Sequence, residues 1–419
     1  MLKLYKSFEL IKKLYFVRTG GSNEELKAAN IIKDECKSLG VDAELEQFLV
    51  DYSDIEKASI RFYDPDLEFE CAGVGMSGST TLEGIIGDFI YVNSLEQALI
   101  SDLENKICFV NAKLCNPKLY KEIIKKKAIG LILTTGSVYD DKENVDLDPY
   151  MYRERLYENG KIPAVCIRMK DAEELLRKMP KKAHLTLIQE EMKADSFNVV
   201  ATIKGTKYPD EVICYTAHYD SVSYSKGAYD NATGSATIMQ MLDYYQNNKP
   251  LRTVKFIWCG SEEMGLLGSK AYVNMHKDEL ENYKLCINVD MTGVTIGSDI
   301  ACCSAEEGLV SFIKYLGYIE GFAIKPRMGV YSSDSTPFAD SGVPALSFAR
   351  ISPTGGAVIH SRKDVMDYLS EDNYYKTCDF IKSFSDKMIN SAYVPVSRVI
   401  PDKIKQDLDI YLGRKEKNE

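Results

Sequence analysis

Tyr215-Thr-Ala-His-Tyr-Asp-Ser221, followed by Gly227-Ala-Tyr-Asp-Asn-Ala-Thr-Gly234, decides how this chain is read. It places His218, Asp220 and Asp230 within thirteen residues. The run 212–217 before them is short, apolar and β-branched, and reads as a buried strand. A helix is expected from about 232 to 244. His218 and Asp220 are two apart, so in an extended chain they share a face. The Asp220 carboxylate can then accept the second ring N–H of a metal-bound His218 and fix its tautomer. Ligand-type groups at a strand end, beside a helix, stand where α/β proteins usually keep their sites. Taken alone, the stretch reads equally well as a structural histidine followed by a helix N-cap aspartate.

The next strand ends shift that balance. Trp258-Cys-Gly-Ser-Glu-Glu-Met-Gly closes one apolar run with two adjacent carboxylates, Glu262 and Glu263. Adjacent like charges are costly without a cation between them. Asn288-Val-Asp-Met closes the following run and places Asp290 at its end. Gly355-Gly-Ala-Val-Ile-His-Ser puts His360 in a late loop. The chain has four histidines, so two of the four occupy ligand-like positions. His184 falls in an edge-strand pattern and His276 at a helix end. Three successive strands therefore end in His-x-Asp, Glu-Glu and Asp, all directed to one edge of a parallel sheet. Two imidazoles and three carboxylates are enough for two divalent cations, with one carboxylate bridging. Nitrogen and oxygen donors without a thiolate favour Zn²⁺, with Co²⁺ and Mn²⁺ also compatible. One of Glu262 and Glu263 is left over as a general base.

Composition sets the class. A chain of 419 residues, 45% hydrophobic and 27% charged, is ordinary for a globular protein with about two domains. A net charge of −10 argues against nucleic acid or an anionic membrane as partner. No run reaches transmembrane length. The first fifteen residues read as an amphipathic helix and not as a signal peptide. Eleven scattered cysteines without a Cys-x-x-Cys pair suit free thiols and a cytoplasmic location.

Along the chain, residues 1–60 read as helix, helix and edge strand, with Ser22 or Asn23 as N-cap of the second helix. Residues 63–192 change character and carry strands and helices without a cluster of metal-ligand residues. After 193, strand and helix alternate, the pattern of a mostly parallel sheet. The expected architecture is α/β: a mostly parallel mixed sheet between helices, with a smaller inserted domain. The catalytic domain is discontinuous, 1–62 plus 193–395, around an insert at 63–192. Residues 396–419 read as a charged surface tail.

Together, His218-Tyr-Asp, Asp230-Asn-Ala-Thr-Gly, Glu262-Glu-Met-Gly-Leu-Leu-Gly-Ser, Asn288-Val-Asp-Met and Ile359-His-Ser resemble the co-catalytic di-zinc aminopeptidases, metallopeptidase family 28. Ser333-Asp-Ser-Thr-Pro-Phe with Gly342-Val-Pro-Ala extends the resemblance, which covers about 1–60 and 193–390. The insert resembles a protease-associated domain through Lys106-Ile-Cys-Phe-Val and Ile162-Pro-Ala-Val-Cys-Ile. The resemblance implies that Asp230 bridges two zincs, one also held by His218 and Asp290, the other by Glu263 and His360. It implies Glu262 as general base, Asp220 as the partner of His218, and a non-proline cis peptide after Asp230. Ser335 departs from the family pattern, where His or Tyr is common, which bears on side-chain preference. Tyr331 and Asp334 are expected near the substrate.

The expected activity is a zinc-dependent exopeptidase, an aminopeptidase removing N-terminal residues from peptides. The alternatives are a di-zinc carboxypeptidase or acyl-amino-acid hydrolase, a glutaminyl cyclase, and a non-catalytic binding module. Peptides are the expected partners, and a homodimer is left open.

Overall fold

The computed structural model describes residues 5–112, 115–139, 147 and 150–415. Met1–Leu4 of the expected N-terminal helix and the last four residues of the tail lie outside them. The chain divides into two compact units, 1–50 with 195–419, and 51–194.

In the first unit a mixed sheet runs in the order Ile324–Met328, Ser298–Ser304, Ala345–Ile351, Tyr283–Val289, Tyr208–His218, Arg252–Cys259, ending on the last part of Lys182–Ile203. The four strands from Ala345–Ile351 to Arg252–Cys259 are mutually parallel. Antiparallel strands flank them on both sides. The strand Tyr208–His218 pairs with Arg252–Cys259 on one side and Tyr283–Val289 on the other. The chain thus reverses its direction of winding at this strand. Loops leaving its carboxyl end part to opposite sides and open a crevice there, the usual ligand position in such sheets.

Alternation within the strands explains why helices cover both faces. Ile213, Tyr215 and Ala217 join Val254, Phe256, Trp258, Leu285 and Ile287 in one core. The helices Thr233–Asn247, Glu307–Glu320 and Glu371–Ile389 pack on that side through Leu242, Ile313 and Phe384. Val212 and Cys214 point the other way, with Ile257 and Cys286, toward Tyr272, Phe338 and Ile404. A period of two along each strand feeds both cores, as expected for a sheet buried on both faces. Tyr215 stacks on Phe256 across the parallel pair at 5.3 Å between ring centroids.

The C-terminal segment differs from the expected surface tail. Residues Asp402–Tyr411 form a helix whose Ile404 and Leu408 are buried in the second core. Its charged residues occupy the outer face, and the apolar residues four apart share the inner one. At the other terminus the helix spans Phe8–Lys13, and the following strand runs further than expected, Ala43–Tyr63.

The second unit has its own strands and cores. Ile85–Tyr91, Lys106–Phe109, Gly130–Thr135 and Ala164–Arg168 are parallel neighbours in that order. Helices Pro117–Lys125 and Met169–Lys178 accompany them. His184 sits in the strand bordering Ile85–Tyr91, with Nε2 2.7 Å from the Glu83 carbonyl oxygen.

Leu242, fully buried in the larger core, gives a direct check of this packing. Leu242→Ala is expected to cost about 2–5 kcal/mol. Tyr318→Ala, at a residue 71% exposed, should stay within about 0.5 kcal/mol. Thermal melts of the two variants beside the parent chain would show it.

Candidate metal centre

The parallel strands deliver their chemistry to one edge. His218 ends its strand, Glu262 and Glu263 lie three and four residues past Cys259, and Asp290 follows Val289. His360 lies in the loop after Ala345–Ile351. His218 Nε2 is 3.2 Å from Asp230 Oδ1 and 3.5 Å from Asp290 Oδ1. His360 Nε2 is 3.2 Å from Asp230 Oδ2 and 3.0 Å from Glu263 Oε2. Asp230 therefore turns one oxygen toward each histidine. Two donor sets result, His218–Asp230–Asp290 and Asp230–Glu263–His360, each with its ligand atoms within 4.8 Å of one another. His218, Glu262 and Glu263 satisfy the same criterion.

The arrangement fits divalent cations on its own chemistry. One imidazole N–H cannot serve two carboxylates at once, yet each ring faces two. Asp290 Oδ1 is buried without a hydrogen-bond donor. A cation at each convergence would satisfy every one of these atoms, and a mixed N/O set suits zinc-like metals.

Titration behaviour in the metal-free chain reflects the same crowding. Burial pushes the Glu262 carboxyl well above its ordinary range; His218 opposes this and Glu263 adds to it. Glu263 is pushed up to about 7, by burial and then by Asp230. Burial would also raise Asp230, but bonds to His218 and His360 hold it well below the usual carboxylate range. His360 rises to about 11, because Asp230 and Glu263 outweigh the burial that opposes its charge.

Asp220 lies beside His218 and also holds the turn of the two glutamates. Its Oδ1 is 3.4 Å from His218 Nδ1, too long for a good hydrogen bond. Instead Oδ1 accepts the Glu262 N–H at 3.0 Å and Oδ2 the Glu263 N–H at 3.1 Å. One carboxylate thus orients the backbone of both glutamates.

The loop bearing Asp230 is fixed from three directions. The Asp230–Asn231 peptide is cis, as the resemblance implied. Asp364, 1% exposed, accepts the N–H groups of Tyr229 at 2.7 Å and Asp230 at 3.0 Å. Asn231 is fully buried; its Nδ2 donates to the Val289 carbonyl, and its Oδ1 accepts from Gly234 and Met291. It thereby ties Asp230 to the residues on either side of Asp290, and no glycan could occupy it. Arg18, also fully buried, donates to the carbonyls of Leu14, Phe16, Tyr219, Lys226 and Gly227. Sequence reasoning missed these three as site residues. Asp364 reads as part of a charged loop, and Arg18 is about two hundred positions from the carbonyls it caps at Tyr219, Lys226 and Gly227.

Tyr331 is half-buried, with burial and then Asp290, Tyr229 and Asp230 raising its phenol. Asp334 is 1% exposed and lies below the cluster, with Cys259 and His218 near it. His184 and His276 are not part of it; His276 Nε2 contacts Glu46 at 2.9 Å.

Residues 198–385 match the model of peptidase family M28. That stretch, which carries every residue of the two donor sets, belongs to the family. It is 26% identical to carboxypeptidase Q of Bos taurus, over 82% of this chain and 76% of that one. It is 23% identical to aminopeptidase YwaD of Bacillus subtilis, over 90% of this chain and 82% of the relative. The solved structure of BSAP, a zinc aminopeptidase from Bacillus subtilis, superposes with a TM-score of 0.79 at 21% identity, covering 97% of this chain and all of that one. The chain thus carries an M28 metallopeptidase domain and has the α/β fold of the zinc aminopeptidases.

Removing the carboxylate beneath Asp230 tests the role of its support. Asp364→Ala is expected to weaken cation binding about 10–100-fold. Competition with a fluorescent chelator would measure it, and unchanged affinity would show that the loop holds its shape without Asp364.

Proposed function

We propose that this peptidase is an aminopeptidase using two divalent cations, most favourably Zn²⁺. The observation that carries the reading is Asp230, which presents one oxygen to each of two separate donor sets. In this reading His218, Asp230 and Asp290 would hold one cation, and Asp230, Glu263 and His360 the other. When bound, the cations supply Lewis acidity that activates water and polarises the scissile carbonyl.

The chain's own residues do the rest. Glu262 takes the proton of the attacking water and returns it to the leaving amine. Asp220 keeps Glu262 and Glu263 in register through their amides. Tyr331 would donate its phenolic proton toward the substrate carbonyl.

The arginines favour the substrate's amino end, and not the carboxylates, whose charge the cations would balance. Two nearby arginines are already engaged: Arg18 on backbone carbonyls, and Arg350 on Asp299, Val294 and Thr295. Neither offers a free guanidinium to a terminal carboxylate. The carboxypeptidase Q relatives keep a di-zinc carboxypeptidase as the second reading. Within the described residues no helix is long and apolar enough to cross a membrane. The buried, scattered cysteines support a reducing compartment, the cytoplasm.

Elemental analysis of protein purified without chelator should give about two cations per chain. A panel of aminoacyl-nitroanilides and blocked peptides should show turnover only with a free N-terminus. Activity should vanish with chelator and return with Zn²⁺ or Co²⁺. Glu262→Gln should keep its metal while kcat falls by about 10²–10⁴. Turnover confined to substrates with a free C-terminus would move the assignment to the second reading.

A further inference from the structure

The turn carrying Glu262 and Glu263 is held by three consecutive amides, and two of them end on Asp220. The third, Ser261 N–H, donates to Glu25 Oε1 at 2.7 Å. The Ser261 hydroxyl donates to the same oxygen at 3.0 Å. Glu25 lies 236 residues earlier, in the first turn of the helix Asn23–Ser38, and is 1% exposed. Ser261 itself sits at φ 51°, in the left-handed region that side-chain-bearing residues rarely enter. Something outside the turn has to hold it there.

Glu25 is diverted to this task from a local one. Ser22 and Glu25 have the spacing of a capping box, and the Ser22 hydroxyl does accept the Glu25 N–H at 3.1 Å. In the reciprocal half of such a box the glutamate would accept the N-cap N–H. Here the Ser22 N–H goes to the Thr19 carbonyl, and Glu25 accepts Gly21 N–H at 2.7 Å and Ser261 instead. The loop before the helix presses on the same turn. A Cβ at Gly20 would fall 2.4 Å from Met264 Sδ and 2.5 Å from Ser261 Oγ. One at Gly260 would fall 3.0 Å from Glu25 Oε1.

Resting on the reading of Glu262 as general base, we propose that Glu25 is a positioning residue for the reaction. It fixes Ser261 in its left-handed conformation, and so sets the direction in which Glu262 leaves the turn. The Ser196 hydroxyl, 2.9 Å from Ser261 Oγ, and the Leu267 N–H, which donates to the Ser261 carbonyl at 3.2 Å, hold the same residue, but Glu25 is the acceptor of its amide. The substrate does not touch Glu25, so its loss acts on turnover and not on substrate affinity.

Steady-state kinetics of the full chain, with cation content measured for each variant, tests this. Glu25→Ala should lower kcat by about 10–100-fold, the scale of a displacement near 1 Å at a reacting group. KM and cation content should stay as in the parent, and the acidic limb of the kcat–pH profile should move with the displaced base. Glu25→Gln keeps an acceptor for Ser261 and should recover most of kcat. Ser261→Ala keeps the main-chain donor and should stay close to the parent. If Glu25→Ala does not fold, Glu25→Asp, which retains the charge but draws it back by one methylene, should show the same kcat loss. Unchanged kcat in a metal-replete Glu25 variant overturns the proposal. So does a loss of kcat that merely tracks lost cations. Full activity in Glu262→Gln would instead overturn the reading of the base.

Discussion

Like charges taken out of water repel one another unless positive charge is set between them. Five carboxylates and two imidazoles meet at one sheet edge in this protein, and almost every unusual feature of the larger unit serves to keep them there. The repulsion appears in the upward displacement of Glu262, Glu263 and Asp290, with burial the largest cause in each. An arrangement of that kind is unfavourable by itself. Its backbone must be held by bonds made elsewhere, and its charge is balanced by the cations proposed for it.

The holding is done mainly through backbone groups. Asp220 grips the amides of Glu262 and Glu263, Asp364 those of Tyr229 and Asp230, and Arg18 the carbonyls leading into the same loop. A carboxylate that receives two successive N–H groups restrains a turn more tightly than a single contact can, and it leaves the side chains of that turn free for chemistry. The parallel strands supply the stiff platform beneath. The reversal of winding at Tyr208–His218 supplies the gap into which the loops project.

Much of the centre was legible in the sequence because its members stand at strand ends. Apolar runs of period two announce the strands, and His218, Glu262, Glu263 and Asp290 come directly after them. His360 was legible through the resemblance and the scarcity of histidine. The supporting residues were not legible, for one physical reason: their partners are distant in the chain. Arg18 and Gly227 are 209 positions apart, and Tyr229 and Asp364 135. No local period encodes such pairs. The C-terminal helix was misread for a different reason. Ile404 and Leu408 are isolated among charges, and only the surface they cover marks them as core.

The spread of these supports along the chain has a consequence for the order of synthesis. Residues 51–194 form a compact unit with cores of their own, and all its internal partners exist once the ribosome has passed that point. Domains generally fold as units as they emerge. The metal centre follows another schedule. The loop leading to Asp230 is held by Arg18 and Asp230 itself by Asp364, and His360 arrives only shortly before Asp364. A nascent chain therefore carries a finished middle and an unfinished centre. On the proposed reading, the centre assembles only after residue 364 has been made.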